Sequence, residues 1–314
     1  MYNLIRFYNR NKRTIIKIIL IIALIIVIIQ LFNNFYKNKK DNKNDKNIKN
    51  NTYQEELISD KSAITGENVY KEDLKNDVDI INQFIKYCNN NDVDNAYQLL
   101  NDECKEEIFP TIKDFEDIYY SKIFTGDNKS YTVENWVNNT YRVLFTGDIL
   151  STGKLDNSDE IQDYITVTKK NDEYKLNINN YIGRQYVNKI TDNDNIKITV
   201  ESIDTYMDYE KYNLIIENNS DNSILLDTGN DTKSIYLENT RNSKYYFYNN
   251  EIINSNMLIQ SKYKNKLTIK FMKSFDSSVK IKKLVFSKFV NNYEEYKKIE
   301  NKEDYNISTF NVSI

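Results

Sequence analysis

The hydrophobic pattern changes character several times along the chain. From Thr14 to Phe32 it reads TIIKIILIIALIIVIIQLF, and Ile18 to Ile29 is apolar without a break. At the helical rise per residue this run covers about 28 Å, close to the thickness of a bilayer's hydrocarbon core. It predicts a transmembrane helix over 14–32 whose partner is the lipid bilayer. A buried core helix competes with this reading, but no other stretch is apolar on every face over such a length. A cleaved signal peptide competes more closely, because Arg6, Arg10, Lys12 and Arg13 precede the run. The exit, Leu31-Phe32-Asn33-Asn34-Phe35-Tyr36, offers neither the small residues of a cleavage site nor a cysteine for lipid attachment. The expectation is an uncleaved single-pass anchor behind a short cytoplasmic tail, 1–13, with the C-terminal body outside the cytoplasm. Residues 33–72, rich in Asn, Lys and Asp at first and mixed later, read as a polar flexible linker.

Helical periodicity begins at Leu74. Leu74, Val78, Ile81, Ile85 and Cys88 recur at helical spacing, and Asn89-Asn90-Asn91 breaks the run. Asp92 is placed to cap a second helix with the stripe Ala96, Leu100, Cys104 and Ile108, closed by Pro110. Thr111 caps a third, with Phe115, Ile118 and Tyr119 inward. After Gly126 the period becomes two: Tyr131 to Val137, Tyr141 to Phe145, Tyr164 to Thr168 and Tyr174 to Ile178 read as four antiparallel strands. From Ile196 everything reads as strand, in seven short segments between Ile196 and Phe286 separated by polar turns such as Asn218-Asn219-Ser220-Asp221-Asn222.

Three helices followed by a meander of strands is an α+β layout in which helices cover one face of a curved sheet. That order, with the stretch Asp92-Val93-Asp94-Asn95-Ala96-Tyr97-Gln98-Leu99-Leu100, resembles the nuclear transport factor 2-like superfamily of cone-shaped domains over 73–184. The resemblance implies a cone whose open end holds a small ligand or an active site, or packs on a partner. Its catalytic members rely on Asp with Tyr or His, and this chain has no His. After a linker at 185–195, residues 196–314 are similar to small immunoglobulin-like domains, in the order Ile-Ile-Glu-Asn-Asn-Ser-Asp-Asn-Ser-Ile, though without a Cys-Trp-Cys core. The expected fold class is therefore an α+β nuclear transport factor 2-like cone plus an all-β immunoglobulin-like sandwich, with one N-terminal transmembrane helix.

Composition narrows the chemistry. With 314 residues and no histidine, the chain lacks every Ser-His-Asp or Cys-His nucleophile and every His-ligated metal site. Two cysteines exclude a Cys₄ zinc site, and six glycines form no phosphate-binding loop. No catalytic, cofactor-binding or metal-binding residue is assigned. Of 43 Lys and Arg and 46 Asp and Glu, 11 and 2 lie in residues 1–50, so the rest carries a net −12. An acidic body repels phosphate backbones, and nucleic acid is not an expected partner.

The remaining candidates each carry a bland reading beside a functional one. Cys88 and Cys104 form a disulfide in an extracytoplasmic body, worth about 3 kcal/mol, or are two buried free thiols on apolar helix faces. Tyr245, Tyr246, Phe247 and Tyr248 form an aromatic contact surface for sugars or a partner protein, or reflect the Asn-, Lys-, Ile- and Tyr-rich usage of an A+T-rich genome. Trp136 lines a pocket in the cone or packs between helices and sheet. Asp192-Asn193-Asp194-Asn195 begins like a calcium loop but lacks the glycine and glutamate that would follow. The expectation is a membrane-anchored extracytoplasmic protein of a low-G+C bacterium. It would bind another envelope protein or a cell-wall component rather than catalyse a reaction. One alternative resembles the inner-membrane assembly factor of type IV secretion and conjugation machines. The other is a small-ligand receptor or enzyme using the cone.

Overall fold

The computed structural model describes residues 55–57, 62–64, 71–126, 128–147, 160–229, 233–248 and 257–314. The expected tail, the apolar run 14–32 and the first part of the linker lie outside the described residues.

Helix α1 (Lys71–Asn89) turns its apolar stripe inward: Leu74, Val78, Ile81, Ile85 and Cys88 are buried, joined by Phe84. α2 (Val93–Gln98) starts at Asp92, whose side chain accepts from the Asn95 N–H, and α3 (Asp102–Ile108) buries Cys104. α4 (Ile112–Phe115) opens on a capping box in which Thr111 and Asp114 bond each other's backbone N–H. It then widens into a π-helical turn, Glu116–Tyr120, before the short α5 (Ser121–Ile123). The wide turn rotates the face that follows it. Tyr119, Ile123 and Phe124 go inward, while Ile118, expected inside, is 37% exposed.

The helices cover a sheet of β1 (Glu55–Leu57), β2 (Lys129–Val137), β3 (Thr140–Gly147), β4 (Ile161–Lys170) and β5 (Glu173–Asn177), in that order. The β4–β5 hairpin turns through Asn171 and Asp172, both at positive φ, as a two-residue turn requires. β1 lies in the stretch expected to be linker. It pairs parallel to β2, and nearby Ala63 donates to the Asn135 carbonyl at 2.9 Å. An edge strand is held by backbone bonds, so a polar sequence without periodicity can supply one.

β6 (Tyr181–Asn193) decides the architecture. It runs through the expected 185–195 linker and pairs with β7 (Ile196–Tyr206), not with β5. β7 pairs with β8 (Glu210–Asn218), and β8 with β13 (Tyr263–Phe271), giving a sheet in the order β13-β8-β7-β6. A second four-stranded sheet contains β10 (Ile235–Asn239), β11 (Lys244–Tyr246), β14 (Ile281–Phe289) and β15 (Ser308–Ser313), in the order β11-β10-β14-β15. The short strands β9 (Ile224–Leu225) and β12 (Leu258–Ile259) pair with each other, and α6 (Tyr293–Lys298) precedes β15. Strict alternation along β8 sends Tyr212, Leu214 and Ile216 into one core shared by both sheets, with Leu237, Leu284, Phe286 and Phe310 opposite.

These strands correct the expected fold class. Of the described residues 47% are in strands and 23% in helices, and no nuclear transport factor 2-like cone is evident. The meander stops at β5, because the next strand leaves it for another sheet. Residues 53–314 form one unit, with Tyr206 of β7 packed in the helix-covered core. Among the described residues no helix is long and apolar enough to cross a membrane, and the run 14–32 expected to do so lies outside them.

Candidate functional site

The departure of β6 brings α3 against β6, β7 and β8, and charged side chains meet where they join. Gly183 lies in an irregularity of the β6–β7 pairing at φ 154°, a backbone that disfavours a side chain, with the Asn177 amide 3.4 Å from where a Cβ would stand. Arg184 follows it. Its guanidinium donates to Asp204 Oδ1 and Oδ2 at 2.7 and 3.2 Å, to Glu106 at 2.8 Å and to Glu107 at 3.1 Å. Asp204, fully buried, also accepts from the Tyr181 hydroxyl at 2.8 Å and the Asn213 amide at 2.8 Å. Glu107 takes two further donors, the Tyr206 hydroxyl at 3.0 Å and the Lys211 ammonium at 2.8 Å. The result is a bridge from α3 to the β6-β7-β8 sheet in which the central charges are hydrogen-bonded on every side.

Burial opposes the Arg184 charge, but the bond and charge of Asp204, with Tyr181 and Tyr186, outweigh it and raise the guanidinium above its ordinary value. Burial, then the Asp204 charge, raises the Tyr181 phenol, and burial, then Glu107, raises Tyr206. Both phenols therefore stay protonated and act as donors.

Beside this bridge lies a cleft of about 440 Å³, within the usual size of small-ligand sites. Two irregularities of strand pairing shape it. Tyr186 faces Ser202 and Lys189 faces Val200, so Val187 and Asn188 together oppose Glu201. On the other side of β7, Val200 faces Leu214 and Ser202 faces Asn213, which again leaves Glu201 over. Such bulges let neighbouring side chains share a face that alternation would divide, and Glu201 and Ser202 both line the cleft. Its floor is a ladder across three strands: Thr268 donates to Asn213 Oδ1 at 2.7 Å, and the Asn213 amide donates to Ser202 Oγ at 3.1 Å. α3 forms one wall through Glu106 and Glu107, and β6 forms another through Arg184, Tyr186 and Asn188.

The residues singled out from the sequence lie elsewhere. Cys88 and Cys104 are both free and buried. Burial pushes the Cys104 thiol up to about 12 and raises Cys88 further. At pH 8 the folded chain should therefore resist maleimide at both cysteines and label promptly once denatured. Labelling of the folded chain at the rate of a free thiol would contradict this burial.

The aromatic run divides between two faces: Phe247 is buried and Tyr245 packs on the core, while Tyr246 and Tyr248 are 37% and 39% exposed. Lys233 and Lys270 stand over those outer rings at 5.8 and 5.4 Å. The strand also joins the two sheets, because β11 pairs with β10 while Phe247 bridges Phe271. Trp136 is half-buried and shares neither the cleft nor the helix-covered core. Alternation puts it on the face of Glu134, against Tyr164 at 5.3 Å and Arg142 at 5.4 Å. Asp194 and Asn195 form the tight β6–β7 turn at positive φ. Among the described residues no three acidic or cysteine side chains are grouped to hold a metal ion.

Sequence reading passed over Arg184, Glu107, Asp204 and the cleft. The one local signal was Gly183, a scarce residue type in this chain, immediately before Arg184. Nor does the sequence assign any Asp to the interior, where Asp163 is 3% exposed and accepts from the Tyr119 hydroxyl at 2.7 Å.

Compared with known proteins, the chain matches no family model, no curated sequence and no solved structure.

Proposed function

We propose that this chain acts by binding a protein or cell-wall component of the envelope, outside the cytoplasm, rather than by turning over a substrate. One observation carries the reading: the cleft is braced by a bridge whose ionised groups are already committed to one another. Arg184, Asp204 and Glu107 each hold several partners, so the cleft wall is organised before anything enters it. A site so arranged lowers the ordering cost of binding. The envelope setting rests on the apolar run 14–32 and the polar stretch after it, both read from sequence.

The test uses intact cells carrying the full chain. Added protease should digest the 53–314 body, and crosslinking should recover the chain on an envelope protein or on purified cell wall. A body protected in intact cells, with no crosslinked envelope component, would remove the proposal.

A further inference from the structure

The cleft's lining says what class of ligand it suits. Its polar floor crosses β7, β8 and β13 through Ser202, Asn213 and Thr268, while the apolar Leu214 and Leu267 that border it are 1% and 5% exposed and belong to the core beneath. A lipid chain or an apolar ring would find little to cover there. The charges are balanced within the wall: Arg184 is bound to Glu106 and Glu107, and Lys266 lies 3.3 Å from Glu201. An anion would have to draw a cation from a carboxylate, and a cation would meet carboxylates already paired. A neutral molecule rich in hydroxyls avoids both costs. Its O–H groups donate to carboxylates in charge-assisted bonds, and its oxygens accept from hydroxyl and amide groups.

Two side chains face such a molecule. Tyr186 lines the cleft and is 61% exposed, so its ring is open to a ligand. Its ring offers a negative π-face to the weakly positive C–H edges of a sugar ring. Two residues on, Asn188 is held by the bulge at φ 49°, a conformation Asn tolerates. Its amide is exposed and has no protein partner among the described residues, so both its donors and its acceptor are open to a ligand.

We propose that this cleft binds a neutral saccharide, with one ring stacked on Tyr186 and its hydroxyls bonded by Asn188, Thr268 and Glu201. The proposal rests on the binding reading above and names the ligand class for the same site. The bulge in β6 is the device that makes it. With Val187 packed against the core and Tyr186 and Asn188 exposed, it mounts a stacking face and an amide on one strand.

The purified full chain is titrated with chitotetraose and cellotetraose, followed by saturation-transfer NMR and calorimetry. Poly(glycerol phosphate) and pentalysine serve as anionic and cationic probes. A neutral oligosaccharide should bind, and Tyr186→Ala should weaken it on the order of tenfold, the size of one lost aromatic contact. Tyr186→Phe should retain most of the affinity. Asn188→Gly, which keeps the backbone conformation, should weaken it several-fold. These residues are exposed, so the melting temperature serves as the control for folding and should stay unchanged.

Absence of transfer to either oligosaccharide would overturn the proposal. Binding that survives both Tyr186→Ala and Asn188→Gly would do so too, as would preference for a charged probe. If the sugars fail while envelope crosslinking in intact cells persists, the ligand class falls and the binding reading stands. If both fail, the reading falls with it.

Discussion

Replacing Arg184 with leucine should destabilise residues 53–314 by about 3–5 kcal/mol, the cost of leaving one member of a buried ion pair without its partner. Asp204 is fully buried, and with the guanidinium gone its carboxylate keeps only the Tyr181 and Asn213 donors. Glu107 retains Tyr206 and Lys211, and Glu106 loses the guanidinium that holds it to β6. Arg184→Lys should recover little, because one ammonium cannot reproduce a planar fork spread over three carboxylates. Adding Asp204→Asn to Arg184→Leu removes the orphaned charge and should restore part of the loss, a coupling that a double-mutant cycle in urea would measure. Single and double variants of equal, wild-type stability would show that the bridge does not hold α3 to the sheet.

The second large effect is expected at Asp163. Its carboxylate accepts from the Tyr119 hydroxyl at 2.7 Å and from the backbone N–H groups of Asn179 and Asn180 at 3.0 and 2.8 Å. Both asparagines are at positive φ, so the carboxylate pins a turn that the chain would not hold unaided. Asp163→Ala leaves the buried Tyr119 hydroxyl and two half-buried backbone N–H groups without their acceptor, at up to about 1–3 kcal/mol for each. The loss should exceed about 3 kcal/mol, read as a fall in the urea midpoint.

The group also has a pH signature. Burial raises the Asp163 carboxyl above its ordinary value of 3.8 despite the hydrogen bonds that favour its ionised form. The folded chain thus holds this proton more tightly than the unfolded chain. The associated stability is fully present below the ordinary carboxylate value and is lost as pH rises through the raised native one. Asp163→Asn has no proton to lose. The wild type should therefore lose stability relative to this variant as pH rises above 3.8, and a relative gain would show that the carboxyl is not raised.

Both residues show where sequence reading stops. Asp163 sits in a stretch whose alternation, Ile161-Gln162-Asp163-Tyr164-Ile165, places it on the inner face with Ile165 and Val167. Pattern alone does not say that a carboxylate can be accepted there. That depends on Tyr119 and on a turn that follows 16 residues later. Arg184 is similar, since its partners Glu106 and Glu107 lie 78 and 77 positions away and no local spacing joins them. The π-turn at Glu116–Tyr120 exchanged Ile118 for inner residues further along, because one widened turn shifts the phase of everything after it. Trp136 failed in the opposite direction: its position in the strand already put it opposite the core, and its size suggested otherwise.

What the sequence determined by itself is the set of elements whose reason is local. The stripe of α1, the caps at Asp92 and Thr111, the alternation of β2 and β8 and the Asn-rich turns follow from periods of 3.6 and 2 and from side chains bonding nearby backbone. The tertiary structure decided which strands share a sheet. Whether β6 continues the first meander or opens a second sheet is a choice between two sets of backbone hydrogen bonds, and backbone groups are nearly the same in every residue. That choice replaced the expected cone with a mostly β unit, brought Glu107 to Arg184, and made the cleft. Side-chain periodicity records which face of an element is buried, but it carries no record of the neighbour that buries it.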